Sequence, residues 1–341
     1  MQFIEFPSDM IQKEDKDTSI YQYRKGYNLQ FESESIIYGR KEVYESVMDK
    51  VTIGEYSIIE IEIIKILFRF KWLNRKNIER YLNNSPNINI HMRKPSYETN
   101  LKNLRKDGVI VTFSRAPVFA GEETKIIVYR LSEGAYDYAN AFLGVRKTYN
   151  KERENMTIDT ATALEILSLN QWYITMLIGG QFKKTWYRQR FASKKGPVMV
   201  DAAFRLEVDK NRYGSKTMML YAFALSKKED GYVKFINHLL NLNAYIQSSD
   251  NKYKLSLILV TCESRKRMTE AYAALKGFHE LDELELLFIL DEDSLSGTGL
   301  ENVYICEYNP DVKDITYFRT DVSLFKKPEQ VEYPVKEVEK L

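Results

Sequence analysis

Cysteine is nearly absent: Cys262 and Cys306 are the two in 341 residues, far apart and in no CxxC pair. They can build no thiolate zinc site. Histidine is as sparse, and His91, His238 and His279 are scattered, each reading as structural or incidental. The 15 glycines form no P-loop and no GxGxxG after a strand, and no GxSxG elbow occurs. Those absences exclude nucleotide-phosphate cradles and the serine-hydrolase nucleophile. Gly297–Gly299 is a GTG in an acidic loop, too short to carry a function. Long apolar runs without Glu or Lys are missing, so no membrane-spanning helix is expected. Scarce cysteine and the lack of an N-terminal apolar segment lead us to expect a cytoplasmic protein. Net charge is small, at +2.

What is present is an ordinary globular balance. Hydrophobic residues make up 44% and charged residues 29%, enough for real cores under a mixed surface. The length suits two domains. Tyr and Phe are abundant, and read as core and half-buried strand positions rather than a stacking platform.

The most informative stretch is Tyr56–Ser132. It holds three helix-like segments, Ser57–Phe70, Asn74–Asn84 and Arg93–Gly108. Asn74 suits an N-cap, Pro95 an early helical position and Gly108 a C′ position. Two strand-like runs follow, Val109–Arg115 and Lys125–Ser132, around a loop with Pro117 and Gly121. Three helices and a hairpin spell a winged helix-turn-helix, with the third helix suited to a major groove. Charge agrees: twelve Lys and Arg between Lys65 and Arg115 face Glu79, Glu98 and Asp107, leaving +9. Such concentration is what phosphate neutralisation requires. Tyr97, Leu101 and Leu104 should face inward. That turns Arg93, Lys94, Ser96, Thr99, Asn100 and Asn103 outward, where Arg and Asn suit base edges. Lys102, Arg105 and Lys106 suit phosphates, and Arg115 a phosphate or the minor groove beside the wing.

The flanks are less regular. Residues 1–50 read as a polar arm that packs on a neighbouring element or a second subunit. The module occupies 51–150, with a charged linker at its end. Residues 151–325 read as an α/β domain. An apolar helix, Thr160–Gly179, is followed by strand-like Phe182–Phe191, Gly196–Val208 and Thr217–Ser226. A helix (Tyr232–Gln247), a strand (Leu255–Cys262), a helix (Ser264–Leu275) and a strand (Leu284–Leu290) complete it. The last two strands are continuously apolar, so a partly parallel sheet covered on both faces is expected. Residues 326–341 read as a frayed tail, and the acidic run from Asp282 to Asp293 as a solvated strand end.

One residue in this second half invites chemistry. Asp201 is a carboxylate in an apolar strand after a Gly-Pro turn. In PD-(D/E)XK nucleases such an Asp helps hold Mg²⁺ beside a D/E-x-K triplet on the next strand. Here that strand offers Ala222, Phe223, Ala224 and Leu225, and no carboxylate until Glu229. Hard cations need several oxygen ligands, so the sequence argues against an enzyme while leaving Asp201 as its catalytic candidate.

The chain resembles the replication-relaxation family of Gram-positive plasmids and mobile elements over roughly residues 56–293. The resemblance rests on SYETNLKNLRKDGVIV and VYRLSEGAYDYA, where the family closes its winged helix with a Y.LT.KGA pattern. It rests also on an apolar helix containing Asn170, on VMVDAAF, and on the run from TMMLYAFALS through the helix with Tyr245 to LSLILVT. The family's acidic FFLEVD strand is replaced by LYAFALS. The resemblance implies a winged helix followed by a restriction-endonuclease-like α/β domain with a mixed sheet. It implies a double-stranded DNA-binding protein in plasmid replication or conjugative transfer. A homodimer and replication or transfer proteins are the further partners to be expected, and no cofactor is. A metal-dependent nuclease centred on Asp201 and a transcriptional regulator remain the alternatives.

Overall fold

The computed structural model describes residues 3–4, 21, 23, 28–32, 38–85, 97–115, 126–142, 159–180, 182–192, 196–208, 217–228, 231–248, 255–282, 284, 286–291, 303–309 and 314–320. It is a mixed α and β structure with two sheets. The expected boundary near residue 150 and the tail 326–341 lie outside the described residues.

Among the described residues the N-terminal unit carries five helices: α1 (Arg40–Thr52), α2 (Ile58–Phe70), α3 (Arg75–Asn83), α4 (Tyr97–Lys106) and α5 (Glu133–Phe142). Ser57 starts α2 through a reciprocal capping box with Glu60. Asn74 starts α3, its side chain accepting from Asn77 N at 2.8 Å. Gly108 ends α4 with φ +67, and Tyr38 packs so closely there that a Cβ would meet its ring at 2.3 Å. A four-stranded sheet backs the helices. Its order is β2 (Gln30–Phe31), β4 (Ile110–Arg115), β5 (Ile126–Leu131), β3 (Leu73–Asn74), all antiparallel.

The second unit is an eight-stranded sheet. Its order is β1 (Phe3–Ile4), β12 (Asp314–Thr320), β11 (Val303–Asn309), β10 (Leu286–Leu290), β9 (Leu255–Cys262), β8 (Thr217–Ala224), β7 (Val198–Glu207), β6 (Lys184–Phe191). β8, β9 and β10 are mutually parallel and the other pairs antiparallel. Helices α7 (Gly231–Ile246) and α8 (Arg265–Leu275) link the parallel strands and cover one face with Phe235, Leu239, Met268 and Ala271. The opposite face meets α6 (Thr160–Gly179). Every turn of α6 carries buried side chains, because it lies between the sheet and the N-terminal unit.

Three features depart from the sequence reading. Residues 1–50 are not irregular throughout. Val43 and Val47 place an apolar stripe on α1, which crosses α5 so closely at Gly134 that a Cβ would meet Arg40 O at 2.2 Å. The arm also supplies β1 to the large sheet and β2 to the small one, so among its described residues it ties the two sheets of its own chain. The hairpin β11–β12 was not anticipated. And the two units share one apolar core: Phe70 of α2 meets Tyr173 of α6 and Tyr187 of β6, with ring centroids 5.9 and 5.1 Å apart.

Candidate nucleic-acid interface

Helix α4 buries Tyr97, Leu101 and Leu104. At about 100° per residue the opposite face carries Thr99, Lys102 and Lys106, and all three are exposed. The helix is held at both ends. Tyr97 OH donates to Asn83 Oδ1 at 2.5 Å, at the end of α3. At the other end Asp107 accepts from Lys50 Nζ at 2.8 Å and from Tyr56 OH at 3.0 Å. Burial works against the Lys50 charge, but the bonds to Asp107 and Glu55 outweigh it and raise its pKa. A helix fixed at both ends presents its outer face in one orientation, as recognition of a duplex demands.

Asn100 and Asn103 have a different setting from the one expected. Ser57 Oγ donates to Asn100 Oδ1 at 3.0 Å, and Asn103 Nδ2 donates to Glu60 Oε1 at 3.1 Å. Both side chains reach the capping box of α2, so they position α4 against α2. Arg105 is half-buried and lies near Tyr129 of β5, whose hydroxyl pKa is raised chiefly by burial and lowered by Arg75 and Arg105. Arg93, Lys94 and Ser96 lie outside the described residues.

Arg115 requires a correction. It is 3% exposed at the end of β4, and burial lowers its pKa while nearby Glu263 raises it. A guanidinium directed into the protein beside a carboxylate cannot contact a phosphate in this conformation. The sequence placed Arg115 next to a wing, but its burial depends on parts of the chain far from it, such as Glu263, and only the fold reveals it.

Glu263 belongs to a buried polar seam that sequence reasoning missed. The parallel strands β8, β9 and β10 run out side by side, and within three residues of each strand's end comes one member of the seam: Lys227, Glu263 and Asp291. Lys227 Nζ lies 2.8 Å from Asp291 Oδ2 and 3.4 Å from Glu263 Oε2. Burial would discharge Lys227, but the two carboxylates outweigh it and hold its pKa above the usual lysine value. Ser168 of α6 donates to Asp291, and Gln171 Nε2 to Asp291 O at 2.6 Å. The arm joins in: Tyr23 N donates to Glu263 and Tyr21 OH to Gln171 Oε1. Asn170 makes a second link. Its Nδ2 donates to the carbonyls of Phe70 and Trp72, at 2.9 and 2.6 Å, where α2 ends at Lys71 with φ +63. Its Oδ1 accepts from Tyr187 of β6.

Asp201 sits at a discontinuity of the large sheet. The β7–β8 pairing stops at Ala202–Ala222, and Asp201 Oδ2 accepts from Ala224 N at 3.1 Å beyond it. In the β6–β7 register Arg188 stands across from Asp201, and the ladder is interrupted there, with Arg188 at φ +46. Side-chain alternation resets at the same point. Val198, Val200 and Ala203 face α7, whereas Ala202 and Phe204 face α6. The neighbours of Asp201 include Glu165 of α6, whose pKa burial raises against the pull of Lys234 at 3.6 Å. Burial lowers the pKa of His238 against the pull of Asp201. Among the described residues, no three His, Cys, Asp or Glu are grouped to hold a metal ion, and none forms a helix long and apolar enough to cross a membrane.

Family models, curated proteins and solved structures offer no match to this chain.

Proposed function

We propose that the protein binds double-stranded DNA sequence-specifically through a winged helix-turn-helix formed by α2, α3, α4 and the β4–β5 hairpin. The observation that carries this reading is the exposed polar face of α4, with Thr99, Lys102 and Lys106 set on a rigidly anchored helix. Arg75 and Lys76 of α3 are exposed as well. Lys102 and Lys106 would neutralise phosphates, Thr99 would face base edges, and Arg93 and Lys94 would enter from the connection before α4. The second unit is read as a nuclease-like α/β scaffold. The resemblance suggests service in replication or conjugative transfer of a plasmid or mobile element; transcriptional control would use the same contacts. The nuclease alternative draws less support, because Asp201 holds a backbone N–H and apolar residues occupy β8 opposite it.

The test is selection of bound duplexes from a random pool, followed by salt titration. A Lys102→Gln/Lys106→Gln variant should lower the slope of log affinity against log salt by about 2, at roughly 0.9 per phosphate contact. Retention of no duplex by the wild type, or an unchanged slope in the variant, overturns the reading.

A further inference from the structure

Charge is concentrated in a second place. Between Lys183 and Glu207 the chain has seven Lys and Arg against Asp201 and Glu207, a net +5 in a molecule of net +2. Lys194 and Lys195 of this set lie outside the described residues. Lys183, Lys184 and Arg190 are exposed on or just before β6, the edge strand of the large sheet. Lys184 is held over the Trp186 ring, with Nζ 5.0 Å from its centroid. Lys183 has Glu207 at 3.5 Å, and its side chain is still 56% exposed.

A row of cations on an edge strand has a plain use, the blocking of strand addition by another chain. That use places no demand on where the edge lies in the molecule. Here its start is tied to the ends of the reading helices. Thr185, next to Lys184, accepts from Tyr173 OH at 3.2 Å, and Tyr173 OH accepts from Arg69 of α2 at 3.0 Å. Two residues on, Thr175 accepts from Arg80 of α3 at 2.9 Å. The end of α3 in turn holds the first residue of α4 through Asn83 and Tyr97. The last turns of α6 thus tie the start of β6, with Lys183 and Lys184, to Arg69 near the end of α2 and to Arg80 near the end of α3.

We propose that the β6 edge is a second phosphate-contact surface, which continues the path of a duplex from α4 onto the large sheet. The proposal rests on the DNA-binding reading of α4. Lys183, Lys184 and Arg190 grip backbone phosphates on one flank of the site and read no bases, so they lengthen the footprint without changing sequence preference.

The experiment compares Lys183→Gln/Lys184→Gln/Arg190→Gln with Lys102→Gln/Lys106→Gln, using duplexes selected by the wild-type protein. The edge variant should keep the selected sequence, reduce the salt slope by about 2 to 3 and lose hydroxyl-radical protection on one flank only. Lys183→Arg/Lys184→Arg should behave as wild type. Thermal melting checks that the exposed substitutions leave the fold intact. An edge variant with unchanged slope and footprint, beside a weakened α4 variant, overturns this proposal alone and leaves the edge as a guard against strand addition. Failure of the wild-type protein to retain any duplex overturns both readings.

Discussion

The outer face of α4 and the seam between the two units are both rich in charge, and they use it in opposite ways. On α4 the cations stand in water at helical spacing. In the seam Lys227, Glu263 and Asp291 are withdrawn from water and matched with one another. The contrast shows why a local charge count is an upper bound on a binding surface. Of the twelve basic residues between Lys65 and Arg115, Lys65 pairs with Glu62, Arg69 donates to Tyr173, Arg80 to Thr175, and Arg115 is buried. Arg75 is shared between Glu79 and Glu98. Several of the charges that suggested a phosphate track are therefore engaged within the protein.

The contrast is most easily broken by removing one lysine from each setting. Lys227→Ala would leave Asp291 buried without its cation, while Glu263 keeps Arg267 at 3.6 Å; breaking such a buried pair costs about 3–5 kcal/mol. Lys102→Ala removes an exposed side chain and should change stability by less than about 0.5 kcal/mol. Lys227→Met combined with Asp291→Leu should cost less than Lys227→Ala alone, because no uncompensated charge remains in that pair. Urea unfolding measures all three. Equal midpoints for Lys227→Ala and Lys102→Ala would mean that water reaches the seam and that it does not join the units.

The same two regions mark what was legible in the sequence. Local signals told the truth: Asn74 caps α3, Gly108 ends α4, and the apolar runs of β9 and β10 are parallel strands covered on both faces. The inward set Tyr97, Leu101 and Leu104 followed from period alone, and so did the exposed Thr99, Lys102 and Lys106. The seam is the opposite case. Its members come from residues 21, 23, 168, 171, 227, 263 and 291, and nothing local links them. The fates of Asn100, Asn103 and Arg115 were hidden for the same reason, since their partners are set by how helices and sheets cross. Helix α1 was missed because its stripe, Val43 and Val47 with Tyr44, Met48 and Val51 packed beside them, is diluted by Lys and Glu. The reset at Asp201 was hidden because alternation along one strand says nothing of an interruption in its neighbour.

Glu165 is intermediate between the two settings and sharpens the comparison. Its side chain is half-buried, at 17% exposed, and its ion-pair partner Lys234 is largely exposed at 3.6 Å. Burial raises its pKa above the ordinary carboxylate value even against that partner. The sign of the consequence is fixed. Between the ordinary value and the raised one, the folded protein holds a proton that the unfolded chain has released, so stability falls as pH rises through that window. Glu165→Gln has no proton to lose. Its stability relative to the wild type should therefore climb across the window, by at most about 1.4 kcal/mol per pH unit, and then level off. Unfolding measured at a series of pH values reads the difference. A difference that stays constant with pH would show that Lys234 compensates Glu165 as fully as the carboxylates of the seam compensate Lys227.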